Sequence, residues 1–364
     1  MTKPKGEEVW NYFTGRRQLS DHEFVTHVAL AQRIAQLRNA TYCGVWNGIS
    51  SADCAVYLVP DDTLLYSELA ALAATAPCLD FFGGVVPFFF VMTKAITHST
   101  IPDARASPAG WAKDLGKRLN DAVLHGYSAF CAADAYDAGL SLLREGPLRL
   151  KPLQERGGLG QKVIGKDSAL VQALDTIDFE CGGIVLEQNL TEVETFSVGF
   201  VSIGSATISY VGTQELTSDN YGLLVYGGSE LFVARGGPDE LLAHQLNADR
   251  RRAIELSIAY ERAALSAYPD IRATRRNYDV ARGRSSSGDV RWGVLEQSWR
   301  LGGATAAEVL AFQSFSRNLE QPTVRVRCYE RYGNDISIPV DAEVFYRDCD
   351  SRVGPMAKYA LISK

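Results

Sequence analysis

A glycine-rich segment at residues 149–164, RLKPLQERGGLGQKVI, places the strongest constraint on the fold of this chain. Alternating apolar residues precede the glycines and an apolar pair follows them, which predicts two strands joined as a β-hairpin. A phosphate-binding loop of the Walker type carries its lysine after the glycines, at the start of a helix, and a dinucleotide-binding loop also leads into a helix. Here Lys151 precedes the glycines and a strand follows them, so neither of these loop types fits.

The same loop keeps two features that suit an anion. Glycine has no Cβ, so the backbone at Gly157, Gly158 and Gly160 can approach a polyphosphate and direct its N–H groups at the oxygens. Lys151, on the strand before the loop, can direct its ammonium group at the same phosphates. The alternative is a plain tight hairpin whose glycines only supply positive φ angles, and the loop by itself leaves both interpretations open.

A second hairpin, at residues 275–300, brings two carboxylates together. The segments RRNYDVARG and VRWGVLEQSW are predicted strands, and SSSGD lies between them. If Ser287-Gly288 is a two-residue turn, Asp279 lies directly opposite Glu296 on one face, whereas a longer turn would shift the pairing by one residue. Two like charges so placed are unfavourable unless a cation lies between them. Mg²⁺ binds one or two carboxylates together with phosphate oxygens and water.

Two more polar residues follow Glu296 on the same face of this hairpin. Ser298 is the next residue on that face and Arg300 comes after it. Gly302-Gly303 then open a predicted helix, whose N-terminus favours an anion. The alternative interpretation is a solvated surface hairpin in which nearby arginines pair with the carboxylates. The arginines close enough in sequence are Arg275, Arg276 and Arg282.

Helix-start signals divide the chain into elements. Residues 1–95 alternate strand, helix, strand and strand, and the helix begins with a capping box of Ser20 and Glu23. This order predicts a small parallel sheet. A second capping box, Thr305 with Glu308, predicts the start of a later helix.

Other patterns predict the elements between these two. A helix is expected over 107–127, with Ser107 as its cap and Pro108 at its first position. The glycine-rich residues 213–237 are expected to be irregular, and a long helix is expected over 249–267.

Charge, cysteines and histidines limit the classes of function. The net charge of −6, from 37 Lys and Arg against 43 Asp and Glu, argues against nucleic-acid binding. The N-terminal stretch does not resemble a secretory signal, the longest apolar run is too short to span a membrane, and seven scattered cysteines without a CxxC pair suit a reduced, cytoplasmic protein. No zinc-binding spacing occurs, and His98 is either a structural histidine or a substrate contact.

Together these motifs resemble the ATP-grasp superfamily. LRLKP followed by GGLG resembles its second nucleotide lysine and phosphate loop, GIVLEQNL its linker strand, and YDVARG with GVLEQSWRLGG its metal-binding end, where the family places an Asp and then Glu-x-Asn. Nearly the whole chain also resembles an uncharacterised bacterial ATP-grasp-like family that carries TKAITH, RRNYDVA and LEQSWRLGGA. The resemblance implies an α/β (α+β) ATP-grasp fold with a small Rossmann-like N-terminal domain.

The resemblance also implies domains and site residues. It divides the chain into an N-terminal α/β domain at 1–95, a nucleotide-binding subdomain at 96–190 and a C-terminal subdomain with the metal-binding hairpin at 191–364. Lys94 is the expected first nucleotide lysine, with Lys117 as the alternative. The other implied nucleotide-binding residues are Lys151, Gly157, Gly158, Gly160 and Glu187. The implied metal ligands are Asp279, Glu296 and Ser298, and the implied catalytic residues are Arg300 and Lys151.

The function implied by the resemblance is an ATP-dependent ligase. It would use ATP and Mg²⁺ to activate a small-molecule carboxylate as an acyl-phosphate, which an amine or another nucleophile then attacks. No nucleic-acid or membrane partner is expected, and a homodimer is left open. Two departures favour an alternative, a non-catalytic nucleotide-binding or regulatory protein: Ser298 stands where the family has its metal-binding Asn, and Thr195 stands where it has an acidic residue.

Overall fold

The structure is a computed structural model that describes residues 6–51, 53–76, 78–153, 160–180 and 182–363. Gly157 and Gly158 of the predicted phosphate loop therefore lie outside the described residues. The described strands are β1 Gly6–Tyr12, β2 Thr41–Val45, β3 Cys54–Pro60, β4 Leu64–Leu65, β5 Leu79–Phe81, β6 Gly84–Val86, β7 Gly126–Ala129, β8 Leu148–Pro152, β9 Lys162–Ile164, β10 Ile184–Gln188, β11 Thr191–Ile203, β12 Ala206–Ser218, β13 Leu224–Arg235, β14 Arg272–Ala273, β15 Arg275–Arg284, β16 Val290–Ser298, β17 Thr323–Tyr332, β18 Glu343–Asp350 and β19 Gly354–Ile362.

Helices separate and cover these strands. The described α-helices are α1 Asp21–Arg38, α2 Tyr66–Ala73, α3 Leu115–Leu119, α4 Ala132–Leu143, α5 Asp167–Leu174, α6 Pro238–Ala243, α7 Ala248–Ala267 and α8 Thr305–Arg317. Short 3-10 helices occupy Phe89–Met92, Lys94–Thr97 and Asn120–Ala122. None of the helices in the described part of the chain combines the length and the hydropathy needed to span a bilayer.

The N-terminal sheet is parallel, as the strand and helix order predicts. Its strand order is β2-β1-β3-β5, and α1 connects β1 to β2. The predicted capping box opens α1, because the Glu23 carboxylate accepts hydrogen bonds from the backbone N–H and the hydroxyl of Ser20, both at 3.0 Å. The helix ends at Asn39, whose φ of 53° is the left-handed conformation common at helix C-termini.

Two antiparallel sheets make up most of the rest. A four-stranded sheet has the order β7-β10-β8-β9, and its β8–β9 hairpin is the one predicted from the glycine-rich segment. An eight-stranded sheet has the order β16-β15-β11-β12-β13-β17-β19-β18. A three-stranded sheet, β14-β6-β4, pairs two strands of the N-terminal part with β14, which directly precedes β15 in the chain.

Two predicted elements are wrong, each because of glycine. The helix expected over 107–127 is reduced to the five residues of α3 and one 3-10 turn, since Gly110 adopts a φ of 84° that a right-handed helix cannot contain. Residues 213–237 are mostly regular: they form the end of β12 and all of β13, with a turn at 219–223 between the two strands. Pairing of β13 with β12 on one side and β17 on the other overrides the low strand propensity of its glycines.

The carboxylate hairpin has the predicted pairing but a different turn. The five residues 285–289 connect the strands, so that Arg284 pairs with Val290. A β-bulge at Leu295 then shifts the register by one residue, and Asp279 pairs with Glu296 after all. The bulge therefore compensates for the longer turn.

Candidate active site

Lys94 is a buried lysine in the cleft between the antiparallel four-stranded sheet, β7-β10-β8-β9, and the eight-stranded sheet. It is the first residue of its 3-10 helix, which Thr93 caps with its side-chain oxygen. The side chain is only 5% exposed, and Nζ donates a hydrogen bond to the carbonyl oxygen of Pro152 at 3.2 Å. Its Nζ also lies 3.6 Å from Oε2 of Glu296. Burial lowers the pKa of Lys94, although the Glu296 carboxylate opposes the change.

A second buried lysine, Lys151, is held by Glu187. Lys151 on β8 pairs with Val185 on β10, so Glu187, two residues further along β10, lies diagonally across the same face. The Lys151 Nζ lies 2.5 Å from Oε1 of Glu187, and both residues are about fully buried, at 3% and 2% exposed. Oε2 of the same carboxylate lies 3.1 Å from Nε2 of His98.

Electrostatics decides the protonation of this buried cluster. Burial alone would raise the pKa of Glu187, but the Lys151 ammonium and the His98 imidazole outweigh it and lower the pKa to about 2. Burial lowers the pKa of His98. Glu187 is therefore a carboxylate at neutral pH. His98 is 2% exposed and contacts Glu187, and it is not among the residues that line the cavity, which favours the structural alternative for this residue.

Asp279 and Glu296 form the acidic end of the cleft. They are directly paired across β15 and β16, and Gln214 on β12 donates a hydrogen bond from Nε2 to Oδ1 of Asp279 at 2.8 Å. Burial and the negative charge of Glu296 raise the pKa of Asp279 to about 7. A proton or a bound cation would therefore relieve the repulsion between the two carboxylates.

The donor set of this pair fits a magnesium ion that also binds phosphate. Among the residues that the structure describes, no group of three or more His, Cys, Asp and Glu side chains is arranged to hold a metal ion. Mg²⁺ does not need one, because it usually binds one or two carboxylates and takes its other ligands from substrate phosphates and water. Burial and the neighbouring Glu296 charge both raise the pKa of Asp279, and a bound cation would oppose both effects by favouring the carboxylate form.

Arg275 supports the turn that carries Ser298 and Arg300. It is 1% exposed, and its Nη1 donates to the carbonyl oxygens of Ser298 at 3.1 Å and Arg300 at 2.5 Å. Its Nε and Nη2 donate to Glu308 on α8 at 3.0 and 2.8 Å. Glu308 is therefore not part of a capping box, contrary to the prediction, and Thr305 lies inside the helix, where its Oγ1 accepts from the Gly302 N–H.

The nearby arginines form their ion pairs with carboxylates other than Asp279 and Glu296. Arg275 pairs with Glu308, and Arg276 pairs with Glu261 at 2.7 Å. Arg282 lies 3.9 Å from Glu194 and 3.8 Å from Asp249. The interpretation of a solvated surface hairpin with arginine partners is therefore not supported by these contacts.

One cavity of about 800 Å³ brings the predicted site residues together. The predicted residues that line it are Lys94, Lys151, Glu187, Asp279, Glu296, Ser298 and Arg300. Thr195 also lines it. Gly160, with a φ of 68°, lies at the end of the β8–β9 connection and is not among the lining residues. Lys117, the alternative to Lys94 in the sequence analysis, is exposed on α3 and is not among them either.

Sequence reasoning missed Gln214 and Asn277 in the cleft, and it missed the role of Arg275 beneath it. Gln214 was missed because residues 213–237 were expected to be irregular, whereas the alternating pattern of β12 places it on the cleft face. Asn277 lines the cleft two residues before Asp279, and the period of two in a strand could have revealed it. The role of Arg275 beneath the site depends on Glu308, and nothing local in the sequence indicates that pairing.

The cleft continues beyond the acidic pair to helix α1. Its wall there includes Arg17, His22, His27, Glu330 and Lys358. Oε2 and Oε1 of Glu23 accept hydrogen bonds from both Arg17 Nη atoms. The cavity is therefore lined by residues near both ends of the chain.

Comparison with protein families and curated proteins gives one match. The model of a family described as "Protein of unknown function (DUF3182)" matches residues 12–360. No curated protein matches the chain.

Solved structures show the same fold at low sequence identity. An N5-carboxyaminoimidazole synthetase from Staphylococcus aureus has a TM-score of 0.55 and 10% identity, covering 100% of this chain and 94% of its own. Biotin carboxylase from Campylobacter jejuni, in a complex named β-γ-ATP, has a TM-score of 0.54 and 10% identity, covering 99% and 88%. A carboxyaminoimidazole ribonucleotide synthase from Aspergillus clavatus complexed with ATP has a TM-score of 0.51 and 12% identity, covering 98% and 94%. The fold is the mixed α/β ATP-grasp fold, as predicted.

Proposed function

The chain belongs to the DUF3182 family, and we propose that it is an ATP-dependent ligase of the ATP-grasp type that joins a carboxylate to an amine or another nucleophile. The observation that carries this proposal is the shared cleft, in which two buried lysines and a pair of opposed carboxylates line one cavity. Phosphoryl transfer depends on positioning and charge stabilisation rather than on a covalent nucleophile. The buried lysines and the paired carboxylates of the cleft suit both the positioning and the charge stabilisation.

The proposed reaction has two steps. A carboxylate oxygen of the substrate attacks the γ-phosphorus of ATP, and the bond to the bridging β–γ oxygen breaks, which gives an acyl-phosphate and ADP. The nucleophile then attacks the acyl carbon, loses its proton, and inorganic phosphate leaves with the electrons of the cleaved C–O bond. Neither step needs a redox partner.

Lys94 and Lys151 are the proposed phosphate-binding cations. Both ammonium groups are buried, so their attraction to phosphate oxygens would be screened less than it is at the surface. Glu187 fixes the position of the Lys151 ammonium, and we keep it as a nucleotide-binding residue. The predicted roles of Gly157, Gly158 and Gly160 in covering the phosphates stay predictions, because the first two lie outside the described residues.

Asp279 and Glu296 are the proposed carboxylates of the metal site. A bound Mg²⁺ would neutralise phosphate charge and hold the triphosphate in place. Ser298, the third predicted ligand, lies on the same face of the hairpin.

Arg300 is the proposed catalytic cation. Its Nε lies 3.7 Å from Oδ1 of Asp62, and its Nη1 donates to the Leu301 carbonyl oxygen at 2.8 Å. These contacts hold the side chain at the wall of the cleft, where its charge would stabilise the transferring phosphoryl group or the acyl-phosphate.

Calorimetry with ATP and Mg²⁺ tests the nucleotide site. Wild type is expected to bind ATP, and Lys151→Ala is expected to lose at least about tenfold in affinity, since a charge-assisted contact is worth about 1.5–3 kcal/mol. Lys117→Ala is the matched control, because this lysine is exposed outside the cleft. Wild type that binds no ATP, or a control that behaves like Lys151→Ala, would contradict the assignment.

Phosphate release with pools of carboxylates and amines then tests the reaction. Turnover that requires both pools supports the ligase. ATP binding without turnover under any pool would support the alternative, a non-catalytic nucleotide-binding or regulatory protein. The serine at position 298 favours that alternative, since its hydroxyl is shorter than the family's asparagine and lies 3.5 Å from Nη1 of Arg275.

The predicted partners and cellular location are also proposals. A ligase that uses ATP is compatible with the predicted cytoplasmic location. The substrates proposed here are small molecules, without nucleic-acid or membrane partners, and a homodimer stays open. The predicted division at 1–95, 96–190 and 191–364 is likewise proposed.

A further inference from the structure

Asn277 lies beside the proposed metal site, one step along the hairpin face that carries the two carboxylates. Asn277 pairs with Ser298, two rungs from the pair of Asp279 and Glu296. Successive rungs alternate between the two faces of a sheet, so these four side chains share one face. All four line the same cleft.

The hydrogen bonds of Asn277 determine which way its amide points. Nδ2 donates to the Val198 carbonyl oxygen at 3.3 Å, to the Ser197 hydroxyl at 2.7 Å and to the Tyr210 hydroxyl at 3.1 Å. A carbonyl oxygen can only accept, and the Tyr210 hydroxyl donates its own proton to Glu308 at 2.6 Å. The atom that faces these acceptors must therefore be the nitrogen, which leaves the Oδ1 oxygen on the other side of the amide.

Glycine at position 199 allows this arrangement. Gly199 on β11 lies between Asn277 on β15 and Tyr210 on β12. A Cβ on Gly199 would lie 2.2 Å from the Tyr210 ring, so a larger residue would displace the ring that orients the amide. The absence of a side chain at position 199 therefore permits the Tyr210–Asn277 contact.

Ser298 is poorly placed to act as a metal ligand. Its Oγ lies 3.5 Å from the Arg275 guanidinium, and its backbone carbonyl accepts from the same group at 3.1 Å. Both oxygens of Ser298 are therefore directed at the guanidinium, which is itself paired with Glu308. The contacts that hold the Asn277 amide are all made by its nitrogen instead.

We propose that Asn277, rather than Ser298, supplies the neutral side-chain oxygen of the metal site. The superfamily places its asparagine two residues after the glutamate on one strand, and this chain has an asparagine two residues before the aspartate on the paired strand. Both spacings put an amide oxygen next to a carboxylate on one face. The proposal rests on the proposed function, because the metal is the one that accompanies ATP.

Manganese binding measured by electron paramagnetic resonance tests the proposal. Mn²⁺ is titrated into the full-length protein with a non-hydrolysable ATP analogue present. Asn277→Ala is expected to weaken Mn²⁺ binding about tenfold or more, whereas Ser298→Ala is expected to change it less than about twofold. The double variant Asn277→Ala/Ser298→Asn is expected to regain most of the affinity, because it restores the superfamily arrangement.

Two readouts keep the test independent of folding and of the proposed function. Wild type labelled with ¹³C-asparagine is expected to show coupling between Mn²⁺ and an amide carbon in electron–nuclear double resonance, and no variant is needed for this. Binding of the ATP analogue in EDTA reports the nucleotide site alone, so failure of the proposed function appears there. Absence of the ¹³C coupling, or wild-type Mn²⁺ affinity in folded Asn277→Ala, would overturn the role of Asn277.

Discussion

At the scale of single residues, the cleft shows two carboxylates whose surroundings act in opposite directions. Glu187 is surrounded by Lys151 and His98, which favour its charged form. Asp279 faces Glu296, and burial and that negative charge disfavour its charged form. The first arrangement stabilises the protein by itself. In the second, Lys94 lies 3.6 Å from Glu296 but the pKa of Asp279 is still raised, so a bound cation would relieve the remaining repulsion.

Glu187→Gln is expected to destabilise the protein by about 3 kcal/mol at pH 7, because it leaves Lys151 buried without a countercharge. The folded-state pKa of about 2 lies below the ordinary 4.5, so this stabilisation is complete above pH 4.5 and is lost as the pH falls towards 2. Urea unfolding between pH 3 and 7 should therefore show wild type and variant converging at low pH.

The control for that change is Glu255→Gln. Glu255 is 47% exposed and lies 4.0 Å from Arg252 on α7, so its removal should cost less than about 0.5 kcal/mol. A Glu187→Gln variant as stable as wild type at pH 7 would show that the Lys151–Glu187 pair contributes nothing net.

Asp279→Asn is expected to stabilise the metal-free protein at pH 8 by about 2 kcal/mol, after allowance for screening by water in the open cleft. The folded-state pKa of about 7 lies above the ordinary 3.8, so wild type loses stability as the pH rises through this window, and the variant does not. Thermal unfolding in EDTA from pH 4 to 8 measures the difference. Parallel curves of stability against pH for the two proteins would mean that the pKa of Asp279 is not raised in the folded state.

At the scale of elements, the polar face of the eight-stranded sheet is built across three strands. Tyr210 on β12 crosses over Gly199 on β11 to reach Asn277 on β15, and its hydroxyl continues to Glu308 on α8. Arg275 at the start of β15 completes the connection to α8. The site's orientation therefore depends on how strands and helix pack together.

Gly199→Ala is expected to destabilise the protein by about 1–3 kcal/mol, because the added methyl group would overlap the Tyr210 ring at 2.2 Å. The matched control is Gly165→Ala, where an added Cβ meets nothing within 4 Å and should leave stability within about 0.5 kcal/mol. Denaturant unfolding compares the two. Equal effects of the two substitutions would show that the sheet accommodates the methyl group freely.

At the scale of the whole molecule, the N-terminal part shares an apolar core with the C-terminal part of the chain. Buried residues of α1, among them Leu30 and Ile34, belong to one apolar cluster with Leu310 and Phe315 of α8 and Phe345 of β18. The same helix contributes to the wall of the cleft. Folding of the N-terminal part and formation of the site are therefore linked.

A fragment of residues 1–95 is accordingly expected not to form a stable fold alone, since it would expose the apolar face of α1 that α8 covers. Circular dichroism and limited proteolysis of the fragment would measure this, with the full chain as the control. A fragment that unfolds cooperatively and resists protease would show instead that residues 1–95 are an autonomous domain.

Much of this protein follows from short-range patterns in its sequence. The capping box of Ser20 and Glu23, the β8–β9 hairpin and the helix at 249–267 were predictable because they depend on neighbours within a few residues. The glycine at 110 and the glycines of 213–237 misled the same reasoning, since their effect depends on φ and on strand partners.

The site itself was predicted in part and decided by the tertiary structure. The sequence alone indicated the facing carboxylates Asp279 and Glu296 and the lysine before the glycine loop. The contact of buried Lys94 with Glu296 and the pairing of Arg275 with Glu308 join residues of different elements. Hydrogen bonds within one turn or one hairpin are specified locally, whereas the partner of a buried charge is set by which elements pack together.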